Sequence, residues 1–119
     1  MKSSAQGFKR LYLAARYSWQ GFKSGWRSEA AIRQEVVAAC ILVPSVFFLD
    51  ITNVERAVLM LSVLMVLIVE LLNTGIEMVV DRIGSEFHEL SGKAKDLGSC
   101  AVLMSLLAAT ATWAVILWP

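Results

Sequence analysis

Little in this sequence supports covalent cross-linking or a soluble nucleotide-binding fold. Only two cysteines occur, Cys40 and Cys100, both inside apolar runs and neither in a CxxC pair. That spacing supports neither a disulfide framework nor a zinc site, so both thiols are expected to be inert packing residues. No GxxxxGK(S/T) loop, Gly-rich kinase loop, HRD or DFG pattern is present, which excludes the folds those motifs mark. Charge of one sign is not in excess: the net charge is +1, too small for a dominant nucleic-acid footprint. There is no internal repeat and no low-complexity segment. The N-terminus has neither a continuous apolar core nor a small-residue cleavage site, so it reads as mature protein rather than a signal peptide.

What the chain has in abundance is apolar surface. Hydrophobic residues make up 57% of its 119 residues, with a mean hydropathy of +0.63. A water-soluble domain of this size cannot bury that much, so lipid is expected to be the second solvent. The charges are unevenly placed. Lys2, Lys9, Arg10, Arg16, Lys23 and Arg27 all precede the first acid, Glu29. Such a bias sets the N-terminus on the cytoplasmic side.

Four segments follow from the pattern. Within residues 8–27, Phe8, Leu11, Ala15, Trp19, Phe22 and Trp26 recur at spacings of three and four and project within roughly 80° of one another. Basic residues flank that arc, as in a helix lying in the membrane interface. A first span is expected over 30–49, with Arg33 and Glu35 near its cytoplasmic end and Pro44 kinking or loosening it. A second runs over 54–83, well beyond one bilayer thickness. The polar stretch that follows predicts a cytoplasmic loop over 84–95. The third span, 97–118, carries no charge and meets the length test. Its Gly98, Ala101, Ser105, Ala108 and Ala109 predict close helix packing. The expected fold is therefore all-α and integral to the membrane, with three spans and an N-terminal surface helix forming a single domain over 1–119.

One constellation stands out. Glu70, Asn73, Glu77 and Asp81 are separated by 3, 4 and 4 residues, which puts them within about 80° of one helix face over about 16 Å. An acidic group in a span costs ~2.5–3.5 kcal/mol at the helix centre, so such a stripe needs a partner or a task. The bland alternative is a stripe that neutralises Arg33 or Arg82. Oxygen ligands of this kind suit Mg²⁺, which takes one or two carboxylates with phosphate oxygens and water. Glu29 adds a carboxylate at a depth similar to Glu77, and Lys95 and Asp96 fall near the same level. Carboxylates for a metal, a lysine for phosphate and a base for a hydroxyl form a phosphoryl-transfer kit.

These residues also carry a resemblance. YSWQG (17–21), EAAIRQE (29–35) and VELLNTGIEMVVDRIGSEFHELSGKAKD (69–96) are similar to the small prokaryotic diacylglycerol kinase family of Gram-negative inner membranes, over nearly the whole chain. The resemblance implies a homotrimer whose subunits share active sites, with Mg-ATP and diacylglycerol as substrates and phosphatidate and ADP as products. It implies Glu70 as catalytic base and diacylglycerol contact, and Glu29 and Glu77 as metal-linked carboxylates. It sets Arg10, Tyr17, Glu86, Phe87, His88, Lys95 and Asp96 on the nucleotide side. Arg10 is also implied in substrate binding. Asn73 and Lys95 join the catalytic set as positioning groups, and Arg56, Ser99 and Trp113 lie on the lipid side. Phe87 stands where relatives can have tyrosine, and Phe48 where a tryptophan is known. Competing readings are an undecaprenol kinase, a small proton-coupled transporter built by oligomerisation, and a structural accessory subunit.

Overall fold

The structure, a computed structural model, describes residues 6–119; of the basic residues named above, Lys2 lies outside that range. The described residues form four α-helices: α1 (Gly7–Ser28), α2 (Ala30–Ser45), α3 (Asn53–Ile83) and α4 (Glu89–Leu117). A single 3₁₀ turn, Val46–Phe48, extends α2. No strand occurs among the described residues. Three segments are long and apolar enough to cross a membrane: Ala30–Phe48, Asn53–Ile83 and Glu89–Leu117. The protein is an all-α integral membrane protein.

Sequence chemistry sets each boundary. Between α1 and α2 the helix breaks at one residue, Glu29, whose extended backbone (φ −125°, ψ 115°) ends one helix and starts the next. The turn is tight because Gly25 lets α2 approach: a Cβ there would meet Ile32 Cδ1 at 2.8 Å. Arg33 donates from Nη1 to the Trp26 carbonyl at 2.6 Å and to that of Arg27 at 3.3 Å. It thus supplies a positive charge at the C-terminal end of α1, where helix carbonyls lack partners.

Pro44 sits in the last turn of α2. It has no N–H to continue the ladder, and the chain tightens into 3₁₀ geometry directly after Ser45. The 16 residues of α2 span about 24 Å, and the 3₁₀ turn adds about 6 Å. Together they match ~30 Å of hydrocarbon, a span the uncharged part alone is too short to make.

The α2–α3 connection is pinned from both sides. Thr52 and Glu55 form a reciprocal capping box: Thr52 Oγ1 accepts from the Glu55 N–H at 3.1 Å, and Glu55 Oε1 accepts from the Thr52 N–H at 2.9 Å. Arg56, one residue on, donates to the carbonyls of Val46, Leu49 and Ile51, and its guanidinium lies over the Phe47 ring at 5.7 Å.

α4 begins at Glu89, so the loop expected over 84–95 is confined to residues 84–88. The cause is a cap that polarity alone conceals. His88 Nδ1 accepts from the Leu90 N–H at 3.1 Å, Glu89 stands in the first turn, and Glu89 pairs with Lys93 one turn on at 3.1 Å. These contacts favour a helix start.

α4 lies against α3, and α2 packs on α3 from another side. The core is small: among the described residues, Ile32, Val46 and Leu59 are the large side chains that are fully buried. Leu72, Leu103, Met104 and Val115 stay exposed, as expected where the surrounding medium is apolar. Of the small residues on α4, Gly98 is buried, Ser105 and Ala109 are half-buried, and Ala101 and Ala108 face outward. Cys40 and Cys100 are free and on the outer surface of the chain, where they pack against none of its own core.

Candidate active site

The acidic stripe on α3 runs from dry to wet. Glu70 and Asn73 are buried, at 6% and 8% exposure; Glu77 is half-buried and Asp81 exposed. That burial is by neighbouring protein, with Gly98 of α4 lying against Asn73; helix length separately sets the depth of the stripe in a bilayer. The 31 residues of α3 extend about 46 Å, so about 16 Å must lie outside a ~30 Å hydrocarbon layer. Counting from Asn53, Glu70 falls just inside that boundary and Asp81 well outside.

Asn73 Nδ2 donates to Glu77 Oε1 at 2.9 Å, one helical turn away. The second Glu77 oxygen is left without a partner from Asn73. Asn73 Oδ1 faces α4 at Gly98 and is buried without a hydrogen-bond partner. An orphaned acceptor of this kind costs about 1–3 kcal/mol. Thr74 Oγ1, at the next position, is likewise unsatisfied.

Glu77 and Glu29 both lie near enough to act electrostatically on Glu70, and Glu70 acts on Glu35. Two helices therefore bring four carboxylates into one field: Glu29 and Glu35 from α2 and its N-terminal junction, Glu70 and Glu77 from α3. Sequence reasoning missed Glu35. Its signal was an acid inside a span, noted above but not connected to the stripe. One Glu35 oxygen is buried and unpartnered, and the side chain borders a cleft of about 390 Å³ between α2, α3 and α4. The rest of that cleft is mainly apolar, including Leu42, Val63, Leu106 and Ala109, with Trp113 on its wall.

The neutralising alternative finds little support. Arg33 is committed to the end of α1. Among the described residues the ion pair reaching the stripe is Lys95 to Asp81, at 2.7 Å. Among the described residues neither Glu70 nor Glu77 forms an ion pair, although Lys95 lies near enough to Glu77 to act on it electrostatically.

The remaining candidates divide by location. Lys95 and Asp96 are exposed in the second turn of α4, with Lys95 brought to the stripe through Asp81. Glu86, Phe87 and His88 form the exposed α3–α4 loop near the same end, and His88 caps α4 as described. Ser99 is exposed beside the buried Gly98. Tyr17 is half-buried on α1 and Arg10 exposed near its start, roughly 27 Å along the axis from Ser28. Arg56 and Trp113 lie toward the opposite end of the bundle. Arg56 holds the α2–α3 loop, and Trp113 Nε1 donates to Ser62 Oγ at 3.1 Å. Neither touches the carboxylates within one chain.

No group of three or more His, Cys, Asp or Glu side chains converges as a metal cage among the described residues. The donor set instead matches an ion that keeps most of its ligands from water and phosphate. Mg²⁺ binds in that manner, and Glu77, with one oxygen fixed by Asn73, and nearby Glu29 suit it.

Comparison with known proteins is unambiguous. Residues 16–117 match the model of a family described as prokaryotic diacylglycerol kinase. A diacylglycerol kinase of Escherichia coli is 51% identical over 118 residues, 99% of this chain and 97% of the relative. Those of Pseudomonas aeruginosa (48% over 111 residues, 93% and 90% of the two chains) and Haemophilus influenzae (47% over 112 residues, 94% and 95%) are similar over nearly as much.

Proposed function

Because this chain belongs to the prokaryotic diacylglycerol kinase family, we propose that it transfers the γ-phosphoryl group of Mg-ATP to the free hydroxyl of diacylglycerol. The observation that carries this is a buried carboxylate, Glu70, at the inner end of a stripe whose outer end, Asp81, is exposed and meets Lys95, and close to Glu35 on the wall of an apolar cleft. A lipid alcohol and a water-borne nucleotide meet only at such a boundary.

In this reading the acyl chains follow the apolar cleft toward Trp113, Ser99 and Arg56 belong to the lipid side by the family resemblance, and the hydroxyl reaches Glu70. Glu70 accepts the hydroxyl proton as the lipid oxygen bonds to the γ-phosphorus. The bond from that phosphorus to the bridging oxygen breaks, and ADP leaves with the electron pair. Glu29 and Glu77 would hold Mg²⁺, with Asn73 orienting Glu77. When bound, the ion neutralises charge on the phosphate oxygens. Lys95 meets the phosphates as a point charge. Arg10, Tyr17, Glu86, Phe87, His88 and Asp96 belong to the nucleotide side. Arg10 stands near the start of α1, about 27 Å along the axis from the Glu29 junction, which favours a site completed by a second subunit of a homotrimer. The N-terminus is cytoplasmic, in the bacterial inner membrane.

The test uses purified protein in mixed micelles with Mg-ATP and diacylglycerol, scored for labelled phosphatidate. Turnover on undecaprenol instead, in the same micelles, would replace the lipid assignment and keep the chemistry. Lack of Mg-dependent ATP consumption with either lipid would remove the kinase reading.

A further inference from the structure

Gly98 is the buried residue of α4, and it faces Asn73. A Cβ built on Gly98 meets Asn73 Oδ1 first, well inside contact distance, with Asn73 Cγ at 3.2 Å and Cβ at 3.9 Å behind it. The Asn73 carboxamide has two orientations. Only one of them presents an N–H to the Glu77 carboxylate; the other sets oxygen against oxygen. With the nitrogen committed to Glu77, the carbonyl must turn toward α4. It does so at a residue without a side chain, and it is buried there without a hydrogen-bond donor. The bond to Glu77 sets the orientation, and the room at Gly98 is what permits it.

We propose that Gly98 is a positioning residue: its bare Cα seats the Asn73 carbonyl, which locks the Asn73 N–H on Glu77 and aims that carboxylate into the site. The inference rests on the reading of Glu77 as a cation ligand only in its functional consequence. Its geometric part stands independently. Helix packing alone would also select glycine, but packing would not tie α4 to the cation dependence of the reaction.

The test is Gly98→Ala in the full-length protein in detergent micelles. Disturbing a group that orients a ligand typically costs 10–100-fold in metal affinity or activity. The Mg²⁺ concentration for half-maximal activity is expected to rise about tenfold, with the KM for diacylglycerol within about twofold. On an Asn73→Ala background, Gly98→Ala should add no further shift, as a pair acting through one contact requires. An unchanged Mg²⁺ curve, or additive shifts in the double variant, overturns the proposal. If Gly98→Ala fails to fold, the double variant should fold, because the obstructing carbonyl is gone; failure of both overturns it too.

A second readout separates this inference from the kinase reading. The chain has two asparagines, Asn53 and Asn73, and Asn53 lies at the far end of α3. With ¹⁵N-labelled asparagine, Gly98→Ala and Glu77→Gln should each move the Asn73 side-chain amide signals and leave those of Asn53 in place. Unmoved Asn73 signals in Gly98→Ala overturn the geometry. Moved signals with an Mg²⁺ curve insensitive to Glu77→Gln would instead remove Glu77 as a cation ligand.

Discussion

The ammonium of Lys95 stands 2.7 Å from the carboxylate of Asp81, joining the second turn of α4 to the last turns of α3. The pair closes a fourteen-residue excursion through the α3–α4 loop. It also fixes a long flexible stem at the mouth of the acidic stripe. Both side chains are largely solvated, at 46% and 66% exposure, so the pair is weak and screened by water. Asp81→Asn should therefore raise the KM for ATP by about 1.5- to 5-fold, with the lipid KM unchanged. The shift should shrink at high salt, where exposed charges are screened. Steady-state kinetics at two ionic strengths measures both; an ATP KM that falls would mean Asp81 competes with phosphate for Lys95.

Glu70→Gln keeps the size of the buried side chain and removes its capacity to take a proton. Loss of a general base typically lowers turnover by about 10²–10⁴-fold. The variant should retain its helical content and its ATP binding, monitored by circular dichroism and by nucleotide titration. Near-normal turnover would take the base role away from Glu70.

Arg56 satisfies three carbonyls at the turn between α2 and α3. Arg56→Met retains a comparable apolar stem and leaves those oxygens to water or to nothing. A loss of about 1–3 kcal/mol of stability is expected, seen as a lower midpoint of thermal unfolding in detergent. Arg56→Lys should recover only part of it, because an ammonium cannot reproduce a planar fork. Full stability in Arg56→Met would mean the turn is held by the Thr52–Glu55 capping box alone.

The cleft bordered by Glu35 and Trp113 offers a separate handle on the lipid. Ala109 is half-buried on its wall. Ala109→Phe fills part of the roughly 390 Å³ and should raise the KM for diacylglycerol several-fold while leaving the KM for ATP in place. Assays at varied lipid mole fraction distinguish the two. Equal effects on both substrates would indicate a general disturbance of α3–α4 packing.

The sequence made some of this legible and hid the rest for physical reasons. The stripe from Glu70 to Asp81 could be read because helical periodicity alone puts those residues on one face. Its depth relative to a bilayer could be anticipated from the length of α3, whereas its graded burial comes from packing between helices. The start of α4 could not, because Glu89–Lys95 is as polar as a loop, and the His88 cap that begins the helix is a single side-chain contact. The task of Arg33 was misleading for a similar reason: a lone cation near acids suggests a counter-ion, while its nearest acceptors are the carbonyls closing α1. Gly98 was visible as a small residue for packing, but its contact with Asn73 crosses between helices and has no signature in spacing. Glu35 was noted near the cytoplasmic side, but its proximity to Glu70 crosses from α2 to α3 and has no signature in spacing.

The overhang of α3 makes bilayer thickness a variable of this protein. Stretches longer than the local hydrocarbon layer accommodate by tilting or by distorting the lipid around them. A layer thicker by one helical turn, about 5.4 Å, would draw the ladder down by about one rung and submerge Asn73 where Glu70 now stands. Acyl-chain length in the host membrane thus selects which carboxylate sits at the waterline.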